Sequence, residues 1–489
     1  MAEPTTPSTS FDPGSFRDPM SRVLVRGDDI LRALGTEAVA DWDALAASSF
    51  FPAAVAAGRI VGTERVPDDE VAALGLADDW AAVLRHDRVP MRSYPYEWSF
   101  EMLKDAAKLQ LDLTAEALDD GMITKDASSY NIQFVGAQPT FIDIGSFERI
   151  RKGEPWYGYR QFCQLFLYPL MLQAYRDIPF QPWLRGSIDG ITPEECRNAL
   201  SVRDRVRRGA FSTVLVHARA DRKLADSDRD VKDEMGRAGM GPALIAALVG
   251  KLRKTFDRLT WSKSSTTWSD YSDRAHYTDA DLQLKSEFVA KVAAAAPRSL
   301  VWDVGANDGH FSRIAADHSS YVVAFDVDPL VVDRTYRTLR DEGEKRIQPM
   351  LMNLADPSPG LGWRGMERPT LLDRGRPDLV LCLAVIHHLA ITNTVPLAEF
   401  VAWLAEVGSE TVVEFPTRED PMVKILLRNK RSGLFDGYNL SAFETLLAER
   451  FDIKAVSYTH LRAHETERLI SYAVFCLKSG GGGGGGGGG

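Results

Sequence analysis

The stretch that decides the fold is VWDVGANDGHFSRIAA, residues 301–316, in which an apolar strand ends in an acid, turns through two glycines and enters a helix. Gly305 allows a tight turn, and Gly309 removes a side chain where strand, helix and ligand approach one another. A second apolar run, YVVAFDVDP, places Asp326 23 residues after Asp303. A carboxylate at that point accepts hydrogen bonds from ribose hydroxyls, so the two acids frame a site for one nucleoside.

Short apolar runs alternate with helical patterns through the surrounding region, residues 299–455. The runs are continuous rather than alternating, which indicates burial on both faces and hence a parallel sheet covered by helices. The sequence therefore predicts a doubly wound α/β domain whose strands lie in SLVWDVG, YVVAFDVD, IQPMLMNL, DLVLCLAV and ETVVEF.

The composition of the turn selects among nucleoside ligands. A dinucleotide-binding turn would read GxGxxG, so that backbone amides can approach a pyrophosphate. This chain has DxGxNxG, and Asp303 would repel a phosphate. The pattern therefore disfavours a nicotinamide-dependent oxidoreductase and favours a cationic ligand.

These motifs, in this order, resemble those of class I S-adenosylmethionine (SAM)-dependent methyltransferases over roughly residues 299–455. The resemblance implies that SAM is the cofactor. Its ribose would contact Asp326, and its adenine would contact Asn353 with Leu354. Its methionine part would contact Asp303, Gly305, Asn307 and Gly309. Asn353 is also compatible with a cap before the ADPSPG turn.

Residues that would act on the methyl acceptor are expected beyond the carboxyl ends of the strands. His387 and His388 follow the fourth strand, and one of them could take up a proton because histidine titrates near neutral pH. Many methyltransferases have a similar His-His-Leu with a structural role. Glu414, in the fifth strand, is a candidate base or substrate contact, or a solvated strand end; Arg418 and Asp420 are compatible with capping the next helix.

The segment before this domain, 261–298, contains WSDYSDRAHYTDADLQLK, which resembles the aromatic lead-in that often covers such sites. Tyr277 and Lys285 are candidates to touch cofactor or substrate. Packing against the first helix is the simpler interpretation of both.

A separate motif lies in ITKDASSYNIQFVGAQPTFIDIGSFE, residues 123–148. Asp126, Asn131 and Asp143-Ile-Gly145 resemble the catalytic loop and metal-binding DxG of kinase-like phosphotransferases, which implies that Asn131 and Asp143 would hold magnesium if the region is active. No glycine-rich loop and no convincing strand lysine precede them. We favour a kinase-like scaffold without activity; a β-hairpin whose Asp and Asn residues cap turns explains the pattern equally well.

For the other regions, the amino-acid composition indicates the expected structure. Residues 1–20 are rich in Pro, Ser and Thr and are expected to be disordered. Residues 21–150 mix helices and extended segments in an α+β domain, and 151–260 are mainly helical. Residues 456–489 resemble a translated sequencing adapter followed by glycines, so we interpret them as a read-through artefact in place of the natural carboxyl terminus; the alternative is a real strand, which the composition of Leu469–Leu477 allows.

The net charge of −10 over 489 residues would repel nucleic acids and anionic membranes, and the four cysteines have no CxxC spacing that would suggest a metal site. No signal peptide or apolar span is visible, so a cytoplasmic location is expected.

The arrangement of SYPYEWSFEMLKDAA, KDASSYN and the last domain resembles a group of bacterial methyltransferases that includes a nodulation-associated member. We predict a methyltransferase for a small molecule or specialised metabolite, its amino-terminal half shaping the acceptor site. The rival is a kinase-like phosphotransferase or binding module with a degenerate methyltransferase domain.

Overall fold

The computed structural model describes residues 10–76, 80–151, 153–205, 207, 241–266, 279–462 and 468–479. The chain forms two compact units: an amino-terminal unit of residues 1–264 with 360–368, and a carboxy-terminal unit of 265–359 with 369–489. The division at 264/265 lies four residues after the predicted boundary at 260/261. The other predicted domain bounds, 150/151 and 298/299, stay predictions. Tyr277 lies outside the described residues.

Antiparallel strands and helices make up the amino-terminal unit. Its strands are β1 (Ser10–Phe11), β2 (Ser21–Arg26), β3 (Asp29–Leu34), β4 (Thr63–Arg65), β5 (Ala82–His86), β6 (Met122–Thr124), β7 (Ile132–Val135), β8 (Gln138–Phe141) and β9 (Phe147–Arg149). Its described helices are α1 (Thr36–Ala46), α2 (Phe50–Ala56), α3 (Asp68–Ala72), α4 (Phe100–Asp119), α5 (Tyr159–Phe162), α6 (Tyr168–Arg176), α7 (Gln181–Gly186), α8 (Pro193–Ala199), α9 (Val202–Arg205) and α10 (Pro242–Arg258).

Five of these strands form one antiparallel sheet in the order β1-β2-β3-β5-β4, while β6 pairs with β9 and β7 with β8. A π-helical segment, Cys163–Leu167, joins α5 to α6, and its residues are buried. The apolar run FCQLFLYPLMLQAY is thus helical and mostly buried, as its composition predicts.

The expectation of disorder over residues 1–20 is wrong for residues 10–20, and residues 1–9 lie outside the described chain. Phe11 in β1 pairs with Leu24 of β2, and its ring lies 6.0 Å from that of Trp80. The Arg22 guanidinium lies 4.1 Å from the centre of the Phe11 ring. The packing of Phe11 and backbone hydrogen bonds such as that from Asp12 N–H to the Val23 carbonyl hold a segment whose overall composition is polar.

An excursion of the chain, 360–368, belongs to the amino-terminal unit although it lies between two strands of the other unit. Glu367 forms a 2.5 Å ion pair with Arg17, and Arg368 donates a 2.9 Å hydrogen bond to the Tyr130 hydroxyl. These contacts join residues more than 200 positions apart in the sequence, which no local pattern could reveal.

The carboxy-terminal unit alternates strands and helices. Its strands are β10 (Val301–Val304), β11 (Val322–Asp326), β12 (Ile347–Leu351), β13 (Leu379–Cys382), β14 (Glu410–Pro416), β15 (Phe451–Arg462) and β16 (Arg468–Ser479). Its described helices are α11 (Asp279–Ala293), α12 (His310–Ala316), α13 (Pro329–Glu342), α14 (Leu397–Val407), α15 (Pro421–Leu427) and α16 (Leu440–Ala448).

The sheet of this unit runs in the order β12-β11-β10-β13-β14-β16-β15. The first five strands in this order are parallel. Four of them lie within predicted apolar runs and β14 exceeds its run by one residue, so the doubly wound sheet is confirmed. After β10 the chain forms β11 on one side of that strand, and after β12 it crosses over to form β13 on the opposite side of β10. The carboxyl end of β10 is therefore the switch point, where open α/β sheets bind ligands.

The last two strands include the segment with adapter-like sequence. β16 lies antiparallel to β14, and β15 pairs with β16 at the edge of the sheet. Val474, Phe475 and Leu477 are buried, and the Phe475 ring meets Phe443 of α16 edge-on at 5.8 Å. The segment thus forms a strand, as its composition allows; its origin as an artefact stays a prediction.

Replacing Phe475 with alanine tests whether β16 belongs to the packed sheet. Because this ring is fully buried, Phe475→Ala should lower the free energy of unfolding by about 3–5 kcal/mol, seen as a lower midpoint in thermal denaturation. Ile453→Ala in the edge strand β15, where the side chain is 38% exposed, is the control and should change it by less than about 1 kcal/mol. Equal midpoints for the two variants would contradict the packing of β16.

Candidate active site

Three acids lie on one face of the sheet at the switch point. Asp303 of β10 is aligned with Ala324 of β11 and, through β13, with Val412 of β14. Asp326 and Glu414 each lie two residues beyond those partners, so both point to the same face as Asp303. The structure therefore brings together the two acids that the sequence paired, and it places Glu414 on the same face, two strands away from Asp303.

The turn after β10 is fixed by backbone geometry. Gly305 has a φ of +74°, and a Cβ there would lie 2.4 Å from Val385 Cγ2, so both conformation and space require glycine. Asn307 and Gly309 also have positive φ, of +48° and +81°. A Cβ at Gly309 would make only ordinary contact with Thr335, so within the protein it is the positive φ that favours glycine at this position. The close approach of a ligand to Gly309 stays a prediction.

The carboxylate of Asp326 holds this turn against β11. Its Oδ2 accepts a 3.0 Å hydrogen bond from the backbone N–H of Asn307, and its Oδ1 accepts one of 2.9 Å from Asp328. Burial raises the pKa of Asp326 to about 6 despite these hydrogen bonds. The carboxyl group therefore changes its charge close to neutral pH.

Asp303 is 1% exposed, and burial followed by the nearby Asp326 and Asp308 raises its pKa to about 7. The Ser312 hydroxyl on α12 donates a 2.5 Å hydrogen bond to Asp303 Oδ2 and opposes this shift. Sequence reasoning missed Ser312. A signal was present, because a serine three residues after Gly309 lies in the first turn of α12.

The segment after β12 contains the residues predicted for the adenine region. The backbone N–H of Met352 donates to the carbonyl of Asp326, which joins this segment to the end of β11. Asn353 Oδ1 accepts a 3.0 Å hydrogen bond from the N–H of Ala355, so its side chain stabilises the turn, as the capping interpretation expects. The side chain of Asn353 is exposed, and that of Leu354 is half-buried.

A buried ion pair links α11 to the end of the sheet. Lys285 Nζ lies 2.7 Å from Glu414 Oε1, with side-chain exposures of 4% and 0%. The interpretation of Glu414 as a solvated strand end is therefore wrong. The packing of Lys285 against the first helix is confirmed, because its Nζ lies 5.9 Å from the centre of the Phe311 ring on α12. Contact of Lys285 with cofactor or substrate stays a prediction. Lys285 shares the buried stripe of α11 with Val289 and Val292, and a lysine on an apolar stripe is the sequence signal for a buried partner.

His387 and His388 lie after β13, on a path that begins at the strained Ala384, whose φ is +54°. The two rings are 4.0 Å apart, and neither ring nitrogen of His387 has a hydrogen-bond partner among the described residues. Burial, then His388 and Lys285, lowers the pKa of His387 well below its usual value; burial lowers that of His388 to about 4. Both imidazoles are therefore neutral at neutral pH.

Asp420 and Arg418 serve the local structure after β14. Asp420 Oδ1 accepts hydrogen bonds from the N–H groups of Met422 and Val423 and caps α15. Arg418 donates to backbone carbonyls of Phe435 and Tyr438 instead of capping the helix. Asp420 thus behaves as predicted, whereas Arg418 fixes the loop before α16.

The motif residues of the amino-terminal unit flank the β7–β8 hairpin. Asp126 Oδ1 accepts a 2.8 Å hydrogen bond from the N–H of Ser128, so this aspartate caps a turn. Asn131 comes just before β7 and Asp143 just after β8, so both lie at the open end of the hairpin. The Ser146 hydroxyl joins them, since it accepts a hydrogen bond from Asn131 and donates one to Asp143. The structure thus confirms that Asp126 stabilises a turn, while the kinase-like role of this region stays a prediction.

The parallel strand order β12-β11-β10-β13-β14, the glycine turn after the first strand and the acid ending the second define the carboxy-terminal unit as a class I SAM-dependent methyltransferase fold. SAM is the cofactor of this class. The chain is 34% identical over 446 residues to nodulation protein NoeA of Rhizobium meliloti (strain 1021), a match that covers 89% of this chain and 91% of that protein. The chain therefore belongs to the NoeA family. No family model matches it.

Solved methyltransferases are distantly similar to the chain. N-methyltransferase NodS of Bradyrhizobium japonicum WM9 is 12% identical, with 41% of this chain and 98% of NodS covered and a TM-score of 0.29. Magnesium protoporphyrin IX methyltransferase ChlM of Synechocystis PCC 6803, solved with bound SAM, is 16% identical, with coverages of 45% and 88% and a TM-score of 0.28. Small RNA methyltransferase HEN1 is 12% identical, with coverages of 49% and 32% and a TM-score of 0.31.

Among the helices of the described ranges, none combines the length and the apolar composition needed to cross a bilayer.

Breaking the Lys285–Glu414 pair should be costly. Lys285→Met leaves a buried carboxylate without its cation and should lower the free energy of unfolding by about 3–5 kcal/mol, measured by chemical denaturation. Lys285→Met combined with Glu414→Leu should recover most of this loss, because the uncompensated charge is gone.

The matched control is Arg313→Met, which breaks the half-exposed ion pair with Glu342 in the same unit. It should change the free energy of unfolding by no more than about 1 kcal/mol. The buried character of the pair is contradicted if Lys285→Met behaves like Arg313→Met.

Proposed function

We propose that this protein is a SAM-dependent methyltransferase that acts on a small molecule. The observation that supports this most directly is the placement of Asp303 and Asp326 on one face of the sheet at the switch point, one strand apart. Both carboxyls are buried enough for their pKa values to rise, so both favour a nearby cation. SAM provides a positive charge and two ribose hydroxyls in one molecule.

Bound SAM supplies a methyl group that is already activated for transfer. In the proposed site, Asp326 accepts hydrogen bonds from the ribose hydroxyls while its second oxygen holds the turn. Asp303, fixed by Ser312, interacts with the amino-acid end directly or through water. Gly305 and Gly309 keep the turn clear of side-chain bulk, and Asn307, whose backbone N–H is held by Asp326, contacts the methionine part. Asn353 with Leu354 line the adenine region.

Glu414 is the residue we propose to receive a proton from an oxygen or nitrogen acceptor. It lies on the same face as the two cofactor acids, and Lys285 at 2.7 Å holds it in place. An acid that is fully buried and ion-paired is positioned without freedom to rotate, which favours proton transfer along one direction.

His387 and His388 have a different proposed role. A general base works best when its pKa lies near the working pH, and both imidazole pKa values are lowered by burial. Neutral His387, with both ring nitrogens available among the described residues, is suited to orient the acceptor by hydrogen bonding. His388 packs against it and fixes the ring.

A small molecule is favoured as acceptor by the charge of the chain. Its net charge of −10 would repel the phosphate backbone of a nucleic acid, from which most nucleic-acid affinity is drawn. The role predicted for the amino-terminal region in shaping the acceptor site stays a prediction. If purified protein transferred a labelled methyl group to RNA and not to a low-molecular-mass extract, this choice of acceptor would be wrong.

Calorimetric titration with SAM tests the cofactor proposal. The full chain should bind SAM, and Asp326→Ala should weaken binding at least about tenfold, because hydrogen bonds to a charged group contribute about 1.5–3 kcal/mol each. Asp341→Ala, in which an acid 69% exposed on α13 is removed, is the control and should bind as the parent does. Absence of SAM binding by the parent chain would refute the proposal.

The affinity for SAM should also depend on pH. Because the pKa of Asp326 is raised to about 6, its carboxyl is mostly protonated at pH 5 and mostly ionised at pH 7. Only the ionised form accepts two hydroxyl hydrogen bonds, so the affinity should fall about tenfold or more between pH 7 and pH 5. In Asp326→Ala the dependence should be weaker, and a parent affinity that is constant over this range would contradict the role of Asp326.

A further inference from the structure

Strand β3, the loop before β7 and the turn after β8 bring polar side chains of the amino-terminal unit together. The guanidinium of Arg32 lies 3.0 Å from Asp143 Oδ1. Asp143 Oδ2 accepts a 2.6 Å hydrogen bond from the Ser146 hydroxyl, which accepts one of 3.0 Å from the Asn131 amide. Asp126 is hydrogen-bonded to Asn131 at the other end of the loop. One guanidinium, one amide and two carboxyls thus share a small region.

The order of these groups along the chain is that of kinase-type phosphotransferases. There, a cation on the third strand meets the phosphates, an Asp-x₄-Asn loop supplies a base and one metal ligand, and a following Asp-x-Gly supplies the other. In this chain the third strand carries Arg32, the loop runs from Asp126 to Asn131, and the turn begins at Asp143. The chain differs in using arginine for lysine and in having one glycine, Gly14, between β1 and β2.

Two buried polar groups beside the loop independently indicate an anionic ligand. Ser129, inside the loop, is fully buried, and its hydroxyl has no hydrogen-bond partner among the described residues. Arg368 is 7% exposed and contacts the hydroxyl and the ring of Tyr130, yet its Nε has no hydrogen-bond partner in the described part of the chain. Buried donors are normally satisfied, and phosphate oxygens are strong acceptors for both groups.

The carboxyls require more positive charge than Arg32 provides. The region holds two carboxyls, those of Asp126 and Asp143, and one guanidinium, that of Arg32, which is paired with Asp143; like charges repel each other. A divalent cation between them would remove this repulsion. Magnesium prefers carboxylate oxygens completed by phosphate oxygens and water.

We propose that Arg32, Asp126, Asn131 and Asp143 form a second ligand site, which binds a nucleoside triphosphate together with magnesium. Asn131 and Asp143 hold the metal, and Arg32 contacts the phosphates. The site does not depend on the proposed methyl transfer, because all four residues belong to the amino-terminal unit.

Titration of the full chain with ATP, with and without magnesium, tests this site. The parent should bind ATP at least tenfold more tightly with magnesium than without it. Asp143→Asn should weaken binding of ATP with magnesium at least tenfold, since it removes a charged metal ligand while keeping the shape of the side chain. Asp112→Asn is the matched control: it alters another Asp–Arg pair of the same unit, with Arg253, and should leave the affinity unchanged within twofold.

Two substitutions of Arg32 separate a role in binding from a role in folding. Arg32→Lys keeps the charge on β3 and should retain the affinity within about threefold, whereas Arg32→Met should lose at least tenfold. Circular dichroism of each variant reports whether it is folded. The proposal is overturned if the parent shows no magnesium-dependent binding at millimolar ATP, or if Asp143→Asn and Asp112→Asn bind equally well.

Failure of this site and failure of the methyltransferase proposal have different signatures. Asp326→Ala should lose SAM binding and keep the binding of ATP with magnesium. Asp143→Asn should do the reverse. Loss of both ligands in either variant would contradict the independence of the two sites.

Discussion

The carboxy-terminal unit depends on the placement of two acids, Asp303 and Asp326, where their ionised forms repel each other. Burial raises the pKa of both, so the folded protein bears an electrostatic cost at this point of the sheet. The surrounding structure reduces that cost locally: Ser312 donates to one acid, and backbone N–H groups of Asn307 and Asp328 donate to the other. The glycine turn is folded around these hydrogen bonds. A site of this kind persists where a bound cation offsets its cost.

The parallel sheet could be predicted because its strands are buried on both faces and therefore appear as continuous apolar runs. The positions of the site acids followed from the same pattern, since strand ends fix them. Lys285 could not be assigned in this way: its partner, Glu414, is 129 residues away, and only the packing of α11 on the sheet brings them together. Ordering of residues 10–20 and the inclusion of 360–368 in the amino-terminal unit also depend on contacts that are distant in sequence.

The amino-terminal unit shows why a motif without its context supports two interpretations. Asp126 and Asn131 do stabilise turns, and the same turns hold their side chains next to Asp143. Turn chemistry and ligand geometry are therefore not exclusive. The sequence has no convincing strand lysine before this motif, and the cation that takes this place, Arg32, is identified only by the position of β3 beside the turn at Asp143.

Buried charge also fixes the geometry of β14. Arg298 pairs with Glu410 at 2.5 Å at the start of this strand, and Lys285 pairs with Glu414 near its end. Glu410 and Glu414 are four residues apart and so lie on the same face. Buried ion pairs add little net stability over apolar packing, but a shifted strand would leave charges without partners. The two pairs therefore specify the register of β14 against α11 and the segment that follows it. The proposed proton acceptor is held in position by the same constraint that aligns the strand.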